Sequence, residues 1–317
     1  MKDSSSLTTT TTSSLKNIRF VRYGDLVLLN ESSLAKLGLD ASTLSQDDEA
    51  LRRLKATFRC SRLALKRHIN DDDFRSPNVV ILRGKEEDDS EPIDPWVVQV
   101  DNGIRYCFNI EKSMFCKGNI KEKLRLSKLD CSQEVVVDLF AGIGYFALVF
   151  AVHCRARQVF ACEWNPTAVE ALRRNALLNR VEERVVILEG DNRLVCPVGV
   201  ASRVNMGLIP SSLASLETAC RALDVLTFSR LTLHVHENLT YELMKRPKEE
   251  EEDKKSKRES TELARRRWAQ GIVEQVRDTF SKVHPGLSST VEAQEVVCIK
   301  SYAPHIDHMV ADVVIQL

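Results

Sequence analysis

The chain has 317 residues, enough for two domains with sizeable cores, and no apolar run long enough to span a membrane. Its 45 Lys and Arg balance 45 Asp and Glu, so whole-protein electrostatics announce no polyanionic partner. Nine cysteines at 60, 107, 116, 131, 154, 162, 196, 220 and 298, with no C-x-x-C pair and no signal peptide, describe a reduced, intracellular chain.

Residues 1–17 are rich in Ser and Thr and are expected to be a disordered tail. Residues 18–125 mix short strands and helices and read as a small α/β domain. Within it, Leu51 to His68 carries seven basic residues and no acid: Arg52, Arg53, Lys55, Arg59, Arg62, Lys66 and Arg67. Leu51, Leu54, Phe58 and Leu65 keep helical spacing, so part of this stretch is a helix with an apolar face. Its charge has two readings, a solvated basic face or a phosphate-contacting surface.

Residues 126–317 read as a nucleotide-binding sheet. Val135-Val136-Val137-Asp138 is a buried parallel strand ending in an acid. Leu139 to Gly144 is a turn with glycines at 142 and 144, and Tyr145 to Val152 is an apolar helix. The glycines let the backbone turn tightly and approach a ligand. Two cofactors fit. Gly142-Ile143-Gly144-Tyr145-Phe146-Ala147 is a loose dinucleotide fingerprint, with Glu163 near the place of its ribose-binding acid. Asp138, four residues before Gly142, favours S-adenosylmethionine instead. A carboxylate repels a pyrophosphate but tolerates a sulfonium with an ammonium group.

Further strands follow in order. Val159 to Glu163 ends in an acid whose oxygens can accept from both ribose hydroxyls, and Asn165-Pro166 caps and starts a helix. Val185 to Leu188 precedes Gly190-Asp191-Asn192, an acid and an amide suited to an adenine edge. Val204 to Pro210 is a fourth strand running into a loop, and Leu231 to Val235 a fifth. Polar groups at three successive strand ends fall on the edge where open α/β sheets bind ligands. His234 and His236 flank Val235 and share a face, whereas His305 and His308 are expected in a loop. Neither pair has cysteines at ligand spacing, so all are read as structural and no metal is expected. Lys245 to Ser260 is a charged insert, a solvated loop or helix extension. Arg265-Arg266-Arg267-Trp268 is a second basic cluster, and Tyr302-Ala303-Pro304-His305 borders a base pocket or is a packed loop.

Several separated segments resemble one family. Asp101-Asn102-Gly103-Ile104, Met114 to Arg125 and Asp138 to Gly144 are similar to the tRNA methyltransferase-like enzymes that modify the guanosine next to the anticodon. Cys162 to Pro166, Gly190 to Arg193, Met206-Gly207-Leu208-Ile209-Pro210-Ser211-Ser212 and Lys300 to His308 resemble the wybutosine-synthesising protein 2 branch of that group. The resemblance covers about residues 50–317, except the insert at 245–260.

The resemblance implies a class I S-adenosylmethionine-dependent methyltransferase-like (Rossmann-like) sheet preceded by a small α/β domain. It implies transfer of the 3-amino-3-carboxypropyl group of S-adenosylmethionine to a carbon of the tricyclic wyosine precursor in phenylalanine tRNA, in the cytoplasm, with no DNA or membrane partner. It places Glu163 at the ribose, Asp191 and Asn192 at the adenine, and Ala141, Gly142 and Gly144 at the backbone wall. Asp138 joins this set, and Lys123 pairs with the methionine carboxylate, its other reading being a surface lysine. Cys116 stands where the family usually has Ser, and its thiol is a weaker hydrogen-bond partner than a hydroxyl. Glu122 and Arg125 form structural hydrogen bonds, and Ser202-Arg203 replaces the family's usual acid. Two alternatives stay open: a tRNA guanine-N1 methyltransferase of the same fold, and a non-catalytic tRNA-binding protein.

Overall fold

The computed structural model describes residues 18–40, 44, 46–67, 77–84, 93–113, 115, 117–241 and 254–317. The Ser/Thr tail, Cys116 and the acidic half of the charged insert lie outside the described residues. Contacts divide the chain into two units, Met1–Gln99 with Cys107–Phe115, and Val100–Tyr106 with Cys116–Leu317.

The first unit is built on a four-stranded sheet, β1 (Phe20–Tyr23), β2 (Leu26–Asn30), β3 (Arg62–Lys66) and β4 (Val79–Leu82), in that order. Gly24, at φ +57°, turns β1 antiparallel onto β2. β2 and β3 are parallel, which requires a crossover, and α1 (Glu31–Lys36) and α2 (Asp48–Phe58) lie within it. Asp47 caps α2 by accepting from Ala50 N. The apolar face of α2, Leu51, Leu54 and Phe58, joins Val27, Leu29, Leu63 and Leu65 in one buried cluster.

The basic stretch changes character here. Arg52 and Arg53 pair with Glu49, Arg62 pairs with Asp25 at 2.5 Å, and Arg67 lies 3.6 Å from Glu31. The Arg62 guanidinium holds the Asp25 carboxyl down at about 2. The segment itself lacks acids, but Glu49 precedes it on α2 and folding brings Asp25 and Glu31 to it.

β5 (Trp96–Asp101) and β6 (Ile104–Asn109) form a two-stranded ribbon whose turn end, Val100–Tyr106, belongs to the second unit. Its turn, Asn102-Gly103, has positive φ at both positions, the requirement of a tight hairpin turn. α3 (Ile120–Leu126) also belongs to this unit, so the unit begins before the expected residue 126.

The main sheet uses β7 (Val135–Asp138), β8 (Gln158–Glu163), β9 (Val185–Glu189), β10 (Arg203–Met206), β11 (Arg230–Thr240), β12 (Thr290–Ala303) and β13 (Ile306–Gln316). Their spatial order is β12-β13-β11-β10-β7-β8-β9. β7 to β11 are mutually parallel, and β13 runs antiparallel to β11 and to β12. The connecting helices are α4 (Ala147–Val152), α5 (Pro166–Leu178), α6 (Asn192–Val195), α7 (Leu216–Ala222) and α8 (Lys254–Val283). The basic half of the charged insert opens α8, the helix-extension reading. α7 and α8 cover one face, with Ala219, Ile272, Val276 and Phe280 packed on Val204, Leu233 and Val313. On the opposite side of the chain's order, β8 and β9 grow outward from β7, whereas β10 and β11 grow the other way. The strand order therefore reverses between β7 and β10, and ligands bind at the carboxyl ends of strands at such a point.

One expectation is corrected. His308 is not in a loop but in β13, buried, with its Nε2 3.1 Å from Nδ1 of His236. Burial lowers the His308 pKa to about 4 and the His236 pKa well below the usual imidazole value. Both rings are neutral core histidines, as expected of structural ones. His234 lies between Asp312 at 2.6 Å and Arg203 at 2.9 Å, and Arg203 in turn grips Glu134. Asp312 also binds Arg125, which reaches Glu122 and Glu295. Glu122 and Arg125 thus belong to one polar chain that runs through Asp312 and His234 to Arg203 and Glu134.

Candidate active site

The Asp138 to Ala147 segment forms a loop whose glycines have separate reasons. Gly142 sits at φ +55° and Gly144 at φ +100°, conformations that a side chain strains. A Cβ on Gly144 would come within 2.9 Å of Leu148 and Leu172. Gly144 therefore lets the loop lie directly on α4 and α5. Ala141 is fully buried behind it and donates its N–H to Cys162 O at 3.0 Å, tying the loop to β8.

Glu163 closes the same loop from the end of β8. Its Oε2 accepts from Gly142 N at 2.7 Å and its Oε1 from Asn165 N at 2.8 Å. A carboxylate offers about four lone-pair sites, so both oxygens retain acceptor capacity for hydroxyls. Burial raises the Glu163 pKa, and the amides of Asn165 and Gly142 oppose that rise. Asn165 caps α5, accepting from Thr167 N, with Pro166 in the first turn as the sequence predicts.

Asp138 ends β7 and is fully buried. It stands in register with Asn205 of β10, whose Nδ2 donates to Asp138 Oδ1 at 2.9 Å. Among the described residues, neither Asp138 Oδ2 nor Asn205 Oδ1 has a hydrogen-bond partner. Asn205 was not singled out from the sequence. The signal was there, a lone amide inside the apolar strand Val204–Met206, but its partner is 67 residues away.

Burial, partly offset by the Asn205 amide, pushes the Asp138 carboxyl up to about 6 from an ordinary 3.8. A raised carboxyl contributes stability that is complete below about pH 3.8 and disappears as pH climbs through about 6. The loss should total roughly 3 kcal/mol. Asp138→Asn should flatten the pH dependence of the urea midpoint between these limits. A variant retaining the full slope would assign the titration to another group.

Asp191 and Asn192 follow β9. Asp191 caps the short α6, accepting from Arg193 N, and pairs with the Arg193 guanidinium. Asn192 is buried, and its Oδ1 has no partner among the described residues. Trp164, 55% exposed, follows Glu163 on the same edge.

Lys123 overturns its surface reading. Its side chain is only 1% exposed, and its ammonium lies 2.8 Å from Asp101. The ammonium also lies 4.3 Å from the centre of the Tyr106 ring and 5.3 Å from that of Tyr145. Asp101 and Tyr106 come from the β5–β6 ribbon and Tyr145 from the glycine loop, so two separate segments enclose one cation. Asn179, at the end of α5, holds the ribbon by exchanging hydrogen bonds with Arg105 N and O. His153 Nε2 approaches Asn102 O at 2.7 Å.

The structure thus gathers Asp138, Ala141, Gly142, Gly144 and Glu163 around one loop, with Asp191 and Asn192 beyond the neighbouring strand and Lys123 behind Tyr145. Among the described residues, no group of three or more His, Cys, Asp or Glu is placed to hold a metal. No helix among them is long and apolar enough to cross a membrane. The buried unpartnered oxygens of Asp138, Asn205 and Asn192, with Glu163, form a set rich in acceptors. Such a set suits a ligand that brings hydroxyl, amino and ammonium donors.

A family profile described as the TRM5/TYW2 methyltransferase domain matches residues 97–263. The chain is 39% identical over 295 residues to an Arabidopsis thaliana "tRNA wybutosine-synthesizing protein 2/3/4", covering 93% of this chain and 26% of that protein. It is 37% identical over 304 residues to a Danio rerio "tRNA wybutosine-synthesizing protein 2 homolog", covering 93% of this chain and 70% of that one. The chain therefore spans about a quarter of the plant relative and over two thirds of the fish one. Its fold is similar to a P. horikoshii TYW2 solved in complex with MeSAdo, at a TM-score of 0.61 and 25% identity, covering 94% and 90% of the two chains.

Proposed function

The chain belongs to the TRM5/TYW2 methyltransferase family, and from that premise we propose that it transfers the 3-amino-3-carboxypropyl group of S-adenosylmethionine to a carbon of the tricyclic wyosine precursor in phenylalanine tRNA. The observation that carries this reading is the succession of polar groups at the carboxyl ends of β7, β8 and β9 beside the reversal between β7 and β10. A cytoplasmic place of action belongs to the same proposal, supported by free thiols at the described cysteines.

In this reading Glu163 accepts from the ribose hydroxyls while its backbone bonds fix the carboxylate. Asp191 and Asn192 face the adenine. The wall of Ala141, Gly142 and Gly144 excludes side chains from the space beside the ribose. Asp138 offers a buried acceptor toward an ammonium group, and Lys123 supplies positive charge toward a carboxylate. Cys116 remains part of the proposed set through its backbone. The bound sulfonium supplies three carbons open to in-line attack, with a good leaving group already in place. The protein's task is therefore orientation, since the carbon facing the acceptor is the one that reacts. Groups gripping both ends of the amino-acid arm would hold that orientation.

The deciding experiment identifies the nucleoside by-product by mass spectrometry. Aminocarboxypropyl transfer leaves 5′-methylthioadenosine. S-adenosylhomocysteine would instead establish a methyltransferase, and neither product with tRNA binding intact would establish a non-catalytic binder.

The basic segment of the first unit enters as a proposed tRNA contact. Among the described residues, Arg59, which ends α2 at φ +48°, and Lys66, exposed at the end of β3, form no ion pair of the kind that engages Arg52, Arg53 and Arg62. Reversing both charges should weaken tRNA binding and flatten its salt dependence, because fewer phosphate contacts release fewer counterions. S-adenosylmethionine affinity should stay constant. An unaltered salt slope would leave this segment as a solvated face.

A further inference from the structure

β11, β13 and β12 extend well beyond the rest of the sheet. Val235 pairs with Met206, the last residue of β10, yet β11 continues to Thr240. Five further residues at about 3.3 Å each carry this ribbon roughly 17 Å past the carboxyl end of β10. The β12–β13 hairpin closes at that far end, where Ala303 pairs with Ile306 across Pro304 and His305. His305 takes φ +61° in this turn.

The projecting end is held firmly from one side. Tyr241 N donates to His305 O at 2.9 Å, and Tyr241 Oη donates to Asp307 Oδ2 at 2.7 Å. Arg265 completes the anchor, pairing with Asp307 at 2.7 Å and donating to Tyr241 Oη. This absorbs the acid nearest the turn. Glu237, the other carboxylate on the projection, accepts from the Trp268 indole at 2.8 Å.

The other side is basic and aromatic. β12 departs from regular register twice within a few residues, between Cys298 and Lys300 and between Ser301 and Ala303. Such bulges re-aim side chains and cluster next to active sites. Tyr302 is 51% exposed, and the Lys300 ammonium lies 5.7 Å from its ring centre. A Cβ on Gly118 would collide with the Lys300 ammonium, so that lysine lies across the turn before α3. Lys121 of α3 donates to Cys298 O, one strand position from the bulge. A half-exposed ring with the Lys300 ammonium beside it, and with Lys121 reaching the same strand at Cys298, on a support with its acids neutralised, has the chemistry of a platform for an unstacked base and its phosphates.

We propose that the β12–β13 tip, through Tyr302, Lys300 and Lys121, grips a single-stranded segment of the RNA substrate, with Tyr302 stacking on a base and the lysines meeting phosphates. This rests on the reading of the chain as a tRNA-modifying transferase.

The test titrates the full chain with a fluorescent phenylalanine tRNA anticodon stem–loop, and separately with S-adenosylmethionine. Tyr302→Ala should weaken RNA binding roughly five- to a hundredfold, whereas Tyr302→Phe should retain it. Lys300→Ala and Lys121→Ala should each lower the salt slope by about 0.7. S-adenosylmethionine affinity should be unchanged in all four variants. RNA affinity of Tyr302→Ala within twofold of the parent would overturn the proposal. So would an equal loss of cofactor affinity, which would make the tip a structural part of the cofactor site. A parent chain that yields no 5′-methylthioadenosine would overturn the assigned reaction instead, while the RNA titrations would still decide the role of the tip.

Discussion

Replacing Lys123 with methionine should cost the fold about 3–5 kcal/mol, the usual penalty for removing one partner of a buried ion pair. Methionine fills most of the volume, so the loss isolates the charge. Asp101, 16% exposed on its side chain, would keep a carboxylate with its cation gone. Tyr106 would lose the cation over its face, and its OH would remain on Tyr145 O at 3.3 Å. The measurement is the urea midpoint. Adding Asp101→Asn to Lys123→Met should restore much of the loss, because a neutral amide no longer needs a counter-charge. An unchanged midpoint in Lys123→Met would mean that the pair contributes nothing. The same variant reports on the proposed role in catalysis if compared under conditions where it stays folded. Turnover should then fall further than S-adenosylmethionine affinity, since a misplacement of about 1 Å costs on the order of a hundredfold in rate. Equal losses would restrict Lys123 to binding.

Glu163→Ala should act twice. Each hydrogen bond from a ribose hydroxyl to this carboxylate is worth about 1.5–3 kcal/mol, so S-adenosylmethionine affinity should fall by more than roughly tenfold. The variant also strips the acceptors from Gly142 N and Asn165 N, and an unsatisfied buried donor costs about 1–3 kcal/mol. The glycine loop and the start of α5 should loosen together, visible as faster hydrogen exchange at both amides. Glu163→Gln separates the effects. Its single carbonyl oxygen can serve one amide while its NH2 opposes the other, so it should lie between the parent and Ala in both measurements. Unchanged cofactor affinity in Glu163→Ala, with faster exchange at the loop, would confine this carboxylate to a structural role.

The parallel half of the main sheet was legible because each strand announces itself locally. β7, β8 and β9 are short apolar runs ended by acids, β10 is a short run around Val204 and Met206, and Asn165-Pro166 marks the start of α5 at the residue where it begins. The antiparallel end was not. β12 exposes half of its residues and shifts register at three points, so its alternation is broken, and β13 is buried almost throughout. Without a clean period of two, the segment around His305 and His308 read as a loop.

What the sequence alone determines about this protein is therefore the set of strand ends and their order: Asp138, Glu163 and Asp191 must fall on one edge once the strands are parallel, because each ends its own strand or follows it directly. The partners of those groups were decided only in three dimensions. Local spacing cannot show that Asp101 neutralises Lys123, that Asn205 meets Asp138, or that Asp25 answers Arg62 in a segment read as purely basic. Burial decides these, since a charge leaves water only where a distant part of the chain supplies its counter-charge or hydrogen bond, and that neighbour exists only after the fold has closed.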